Sequence, residues 1–190
     1  MKVYEEDMSM LDLYVMANHR AFYLKILCEE NQIPVRSIVE VGTWNGLTAK
    51  VLKVLFPEAH LYLIDPWDPS PEYLEKGGPC SLKAEDYETC YKQVSKFFEK
   101  DPQVSVIRKT SIEGTKDVPN GVDLVFIDAN HDYDYVKQDI EIWGKKIRKG
   151  GLLSGHDFSP AFPGVMQAVE ETYQGKYIVG KDTVWSTVIS

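Results

Sequence analysis

The chain has 190 residues, 44% hydrophobic and 26% charged, with a formal net charge of −8. Such a length and mix suit one globular domain that buries about 70% of its unfolded surface, and the acidic balance argues against a nucleic-acid partner. The opening Met1-Lys-Val-Tyr-Glu-Glu-Asp7 is acidic and holds no apolar run, unlike a signal peptide, and no window reaches the ~18 apolar residues of a membrane helix. Three cysteines, Cys28, Cys80 and Cys90, are too few and too irregular for a disulfide framework or a zinc site. A reduced, cytoplasmic protein is expected, off the membrane, as a monomer or homodimer.

In chain order, apolar spacing at Leu13, Met16, Ala17, Leu24, Leu27 and Cys28 predicts one amphipathic helix over 11–31, ended by Pro34. From Ser37 strands alternate with helices, the pattern of a parallel sheet covered on both faces. The expected order is strand 37–41, helix 46–56, strand 60–65, a Pro- and Gly-rich loop 66–83, and a helix carrying Tyr87, Tyr91, Val94 and Phe98. Strand 104–108 follows, then the almost wholly apolar Asp123-Leu-Val-Phe-Ile127, a central strand buried on both faces. The next helix starts near Asp132 and Asp134 and repeats Val136, Ile140, Trp143 and Ile147 at helical spacing. Lys145, Lys146, Arg148 and Lys149 read as basic residues complementing the dipole at its end. A strand at Gly151–Ser154, a helix near 163–174, and Tyr177–Gly180 with Val184–Ile189 as an antiparallel hairpin complete the chain.

The turn Glu40-Val-Gly-Thr-Trp-Asn-Gly46 between the first strand and its helix aims backbone N–H groups and a positive helix end at a ligand. A dinucleotide fingerprint G-x-G-x-x-G needs glycine where this chain has Trp44, so that the backbone can approach a pyrophosphate. An indole and the acid Glu40 beside the turn suit a cofactor without phosphates that carries positive charge. S-adenosylmethionine fits; NAD and ATP do not. Asp65, ending the second strand, is placed to accept both hydroxyls of a ribose.

Four motifs in order carry a family resemblance: Glu40–Gly46, Leu63-Ile-Asp-Pro-Trp67, Phe126-Ile-Asp-Ala-Asn-His-Asp-Tyr133 and Gly150-Gly-Leu-Leu-Ser-Gly-His-Asp-Phe158. They resemble class I S-adenosylmethionine-dependent methyltransferases, and most closely a bacterial small-molecule branch related to catechol and antibiotic-sugar O-methyltransferases. The resemblance spans about residues 35–160. It implies a Rossmann-like α/β fold, a mostly parallel sheet closed by a C-terminal antiparallel hairpin. The whole chain 1–190 would form one domain, with a helical segment 1–34 and a lid at 66–83. It also implies cofactor contacts from Glu40 (methionine end), Gly42, Thr43, Trp44, Gly46, Asp65 (ribose), Ser111 (adenine edge) and Asp128. Trp67 reads equally as an adenine cover or a core tryptophan, and Ser111 equally as a helix N-cap.

Asp128, ending the most buried strand, is costly unless paired or ligating. With His131, and with His156-Asp157 at the end of the neighbouring strand, it sets four acids and imidazoles around one point. In metal-dependent relatives the positions of Asp128 and of the His156-Asp157 pair bind magnesium. Histidine replaces a carboxylate there, which admits manganese, iron or zinc, or a metal-free reaction with His131 as base. The expected activity is methyl transfer from S-adenosylmethionine to a hydroxyl of a small-molecule acceptor. The alternatives are another reaction class on this scaffold, hydroxylase-like, or a non-catalytic cofactor-binding module.

Overall fold

The computed structural model describes residues 10–68 and 83–190, with side chains described from residue 19 onward. Cys80, nearly all of the expected lid 66–83, and the side chains of Leu13, Met16 and Ala17 lie outside the described residues.

The elements are α1 (Met10–Glu30), β1 (Ser37–Val41), α2 (Leu47–Leu55), β2 (His60–Asp65), α3 (Ala84–Phe98), β3 (Val104–Arg108), a short turn of helix α4 (Ser111–Gly114), β4 (Val122–Ile127), α5 (Tyr133–Gly144), β5 (Ile147–Gly155), α6 (Pro163–Tyr173), β6 (Ile178–Val179) and β7 (Trp185–Val188). The strands form one sheet in the order β3-β2-β1-β4-β5-β7-β6. β1, β2, β3, β4 and β5 pair in parallel, and β7 runs antiparallel to both β5 and β6. The expected Rossmann-like sheet with a C-terminal hairpin is what the chain forms.

Side chains alternate across this sheet and divide the core in two. Ile38, Leu61, Leu63, Leu124 and Phe126 join Leu24 and Leu27 of α1, Leu52 of α2 and Val94 of α3 on one face. Val39, Val41, Val125, Ile127 and Leu153 meet Val136, Ile140 and Trp143 of α5 and Val169 of α6 on the other. All six residues of β4 are buried, as its apolar run requires. Each such side chain contributes about 1.5–3 kcal/mol of burial; Phe126→Ala, cutting the middle of the first core, would cost about 3–5 kcal/mol.

Two boundaries differ from expectation. Helix α5 stops at Gly144, and Ile147 opens β5 rather than closing the helix. The Gly121 and Val122 backbone N–H groups donate to the Lys146 carbonyl, which turns the chain into the sheet one helical period early. β5 is therefore longer than Gly151–Ser154 and absorbs its extra residues in a bulge opposite Val122–Leu124. Of the basic run, Lys145 is the C-cap of α5 and Lys146 follows it, while Arg148 and Lys149 lie in β5; Lys146 Nζ donates to the Val118 carbonyl and Arg148 Nε to Asp123.

Because β2 and β3 lie to one side of β1, and β4 and β5 to the other, the crossovers diverge between β1 and β4. The crevice for a ligand opens there, outside the carboxyl ends of those strands.

Candidate active site

One wall of the crevice is built from β1, β2 and the turns after them. Glu40 alternates with Val39 and Val41 and so lies on the α1–α2–α3 face, 2% exposed, with Oε2 unpartnered. Burial pushes its carboxyl up to about 8; Asp128 and Asp65 add to the rise, while the Thr43 hydroxyl and Arg20 oppose it. Gly42 has φ +91°, and a Cβ there would stand 2.0 Å from the Asp128 carbonyl oxygen, so only glycine lets the turn pass under the β4 end. Gly46, φ +71°, starts α2, and a Cβ there would press on Val94 Cγ2 at 2.8 Å.

Asp65 organises the same wall. The Trp44 N–H donates to its Oδ2 at 2.8 Å and the Trp67 N–H to its Oδ1 at 2.7 Å. Both tryptophans hold left-handed backbone, φ +46° and +44°, conformations that a bulky residue keeps only when its surroundings impose them. The Trp67 indole N–H donates to the Trp44 carbonyl, and the ring, 1% exposed, packs against Tyr91. Trp67 is thus a core tryptophan that props the Trp44 turn. Trp44 Nε1 is buried without a partner. Each Asp65 oxygen keeps a lone pair, so the carboxylate can still accept hydroxyls. Burial raises its pKa despite the two backbone N–H groups.

Ser111 is not the helix cap. Thr110 is, in a reciprocal capping box with Glu113. The Ser111 hydroxyl instead donates to Asp139 and accepts from the Trp143 indole, tying the end of β3 to α5. Burial pushes Asp139 up to about 6, with Ser111 opposing.

The other wall follows β4 and β5. Arg20 Nη1 on α1 donates to Asp128 Oδ2 at 2.6 Å, and its Nε to Asp182 Oδ2 at 3.2 Å. His156 Nδ1 lies 3.1 Å from Asp157 Oδ1 and 3.6 Å from Asp128 Oδ1, while its Nε2 faces Asp182 at 3.4 Å. His131 Nε2 stands 2.7 Å from Asp157 Oδ2 but off the line of a hydrogen bond, and so remains unsatisfied. Its ring stacks on Phe162, centroids 4.4 Å apart. The four residues read from sequence do converge. Arg20 and Asp182 complete the group and were not anticipated; a lone arginine in an apolar helix and an acid in a hairpin turn were the available signals.

Three carboxylates here face one guanidinium and two imidazoles. Burial opposes charge on Arg20, His156, Asp157 and Asp182, but mutual attraction wins. Asp157 is held well below the carboxylate range by His131 and His156, and Asp182 below it by His156 and Arg20. Asp128, Asp157 and Asp182 raise His156 to about 10. Asp157 and Asp182 both sit at positive φ, +60° and +54°, a strain that marks working sites. Arg20 and the protonated His156 balance two of the three negative charges, leaving one for a further cation. Asp128, His131 and Asp157 offer ligand atoms all within 4.8 Å of one another, two oxygens and a nitrogen. That donor set fits manganese, iron or zinc better than magnesium.

A family model described as a methyltransferase domain matches residues 39–158, well over half the chain. The chain belongs to this methyltransferase family. The family implies S-adenosylmethionine as methyl donor, and the unpartnered Glu40 Oε2 and Trp44 Nε1 are what a cationic, hydrogen-bonding cofactor would satisfy. An uncharacterized protein of Acanthamoeba polyphaga mimivirus is 36% identical over 66 residues, 32% of this chain and 30% of its own length. The chain therefore matches under a third of that curated relative. Among solved structures, the O-methyltransferase NovP is similar in fold, with a TM-score of 0.69 at 13% identity, covering 96% of this chain and 82% of its own. A Staphylococcus aureus protein assigned as a caffeoyl-CoA O-methyltransferase gives 0.61 at 18% identity, covering 88% and 80%. A Klebsiella pneumoniae protein assigned as an O-methyltransferase gives 0.58 at 16%, covering 100% and 94%. At these identities the likeness is one of fold. Among the described residues no helix is long and apolar enough to cross a membrane.

Proposed function

We propose that this methyltransferase moves a methyl group from S-adenosylmethionine to a hydroxyl of a small molecule, within one domain. The observation that carries the reading is the unlike chemistry of the two walls. Glu40 is a buried acid and Asp65 a part-buried one, neither bonded to a cation among the described residues, and both are suited to a positively charged nucleoside cofactor. Across the crevice an imidazole–carboxylate cluster is suited to holding an acceptor and taking its proton. The O-methyltransferases among the fold neighbours support oxygen as the acceptor atom.

On this reading Glu40 faces the cationic methionine end, and Gly42, Thr43, Trp44 and Gly46 present the turn's backbone to the cofactor. Asp65 takes the ribose, Trp67 supports Trp44 from the core, and Ser111 holds the β3 end in place. The bound cofactor supplies an electrophilic methyl on a positively charged sulfur. His131 serves the acceptor, positioned by Phe162 and Asp157.

Asp128, His131 and Asp157 would also hold a divalent cation, which when bound lowers the pKa of a hydroxyl beside it. His156 is the internal cation of the cluster rather than the first choice of ligand, since both its nitrogens already face carboxylates. Without a metal, His131 is the general base.

Incubation with methyl-labelled S-adenosylmethionine and a panel of hydroxyl and amine acceptors tests the reading. Label should appear on oxygen; label on nitrogen alone would overturn it. Chelation should abolish turnover and Mn²⁺ restore it, whereas a chelator-insensitive rate would assign the proton to His131 alone.

A further inference from the structure

We infer that Arg20 is an internal rival of the divalent cation, so that this arginine and Asp182 together set how tightly the Asp128–His131–Asp157 site holds a metal. The inference rests on the metal reading above. Arg20 lies on α1, outside the region 39–158 matched by the family model. Its guanidinium occupies Asp128 Oδ2 at 2.6 Å, and Asp128 is one of the three groups whose ligand atoms lie within 4.8 Å of one another. A dication at that point competes with Arg20 for a carboxylate and meets its positive charge at close range.

Asp182 works in the opposite sense. From the turn before β7 it accepts from Arg20 Nε at 3.2 Å and draws the guanidinium toward itself. It also faces His156 Nε2 at 3.4 Å and so shares in balancing the other cation of the cluster. The backbone at Asp182 and Thr183 is left-handed, φ +54° at each, which the surrounding structure must impose. Gly180 just before them packs so closely on Tyr23 of α1 that a Cβ would stand 1.8 Å from its hydroxyl oxygen. That contact fixes the turn against the helix that carries Arg20. Arg20 and Asp182 are therefore positioning residues, acting on the metal through Asp128.

The two residues give variants of opposite sign, which general damage to the fold would not. Calorimetric titration of MnCl₂ into the wild-type chain, Arg20→Gln, Arg20→Lys and Asp182→Asn tests this, with S-adenosylhomocysteine binding as the check of folding. Arg20→Gln should bind Mn²⁺ at least tenfold more tightly, Arg20→Lys should stay within threefold of wild type, and Asp182→Asn should bind at least fivefold more weakly. If Arg20→Gln does not fold, the Asp182→Asn loss decides. Equal Mn²⁺ affinity in wild type, Arg20→Gln and Asp182→Asn overturns the role of Arg20 and leaves the metal reading standing. No Mn²⁺ binding by any folded variant, Arg20→Gln included, overturns both.

Discussion

On the β1–β2 wall Glu40 is buried and Asp65 part-buried, neither bonded to a cation among the described residues, and burial pushes both carboxyls up, Glu40 to about 8. On the β4–β5 wall Asp157 and Asp182 are part-buried and sit below the carboxylate range, because His131, His156 and Arg20 surround them. Both walls pay for buried charge, one by leaving carboxyls in want of a cation and the other by supplying its own. The first is shaped chiefly by backbone: two glycines at positive φ and two tryptophan N–H groups on one aspartate. The second is held by side chains from α1, the β6–β7 turn and two strand ends. A cofactor common to a whole family suits a backbone-built wall, and an acceptor particular to one enzyme suits a wall of exchangeable side chains.

The contrast can be broken or sharpened by substitution. The largest effect is expected from His131→Ala, which should lower kcat about 10²–10⁴-fold, the contribution of a positioned base, while S-adenosylhomocysteine affinity changes less than threefold. Steady-state turnover and calorimetry on the same variant separate the walls; a matching loss of cofactor affinity would merge them. Gly42→Ala strikes where they touch, against the Asp128 carbonyl, and should cost about 3 kcal/mol in urea denaturation, since neither partner is a movable side chain.

Asp65→Ala should weaken S-adenosylhomocysteine binding by roughly 1–3 kcal/mol and also lower stability, because two backbone N–H groups lose their acceptor. Unchanged affinity would confine Asp65 to a structural role. The last effect, comparable in size, is in pH. With Glu40 at about 8 in the free protein, the carboxyl carries a proton at pH 7 and must release it to face a cationic ligand. S-adenosylmethionine affinity should therefore rise from pH 6 to 8, by up to about tenfold per unit, and proton release should show as buffer-dependent heats. Glu40→Gln should flatten the profile, and a flat profile in the wild type would remove Glu40 from the cationic end.

Much of this was legible in the chain. The bounds of β1, β2 and β3 follow from short apolar runs closed by glycine, proline and charge, and the acids at strand ends pointed to the crevice. Ile147 misled because it falls one helical period after Trp143 although the helix has already ended. Of the two readings of Ser111, adenine-edge contact and N-cap, the cap falls one residue late; Thr110 with Glu113 is the capping pair that the spacing allows. Arg20 and Asp182 lay beyond reach, since Arg20 finds its partners 108 and 162 residues away. Local pattern reports where an ion pair is needed and not which distant element supplies it.

The central claim is that the β1–β2 wall binds a phosphate-free cationic nucleoside, S-adenosylmethionine, and not a dinucleotide. Titration calorimetry of the full chain with S-adenosylhomocysteine and separately with NAD tests it most directly. Saturable heat with S-adenosylhomocysteine and none with NAD is the predicted result. Binding of NAD with no response to S-adenosylhomocysteine would contradict it.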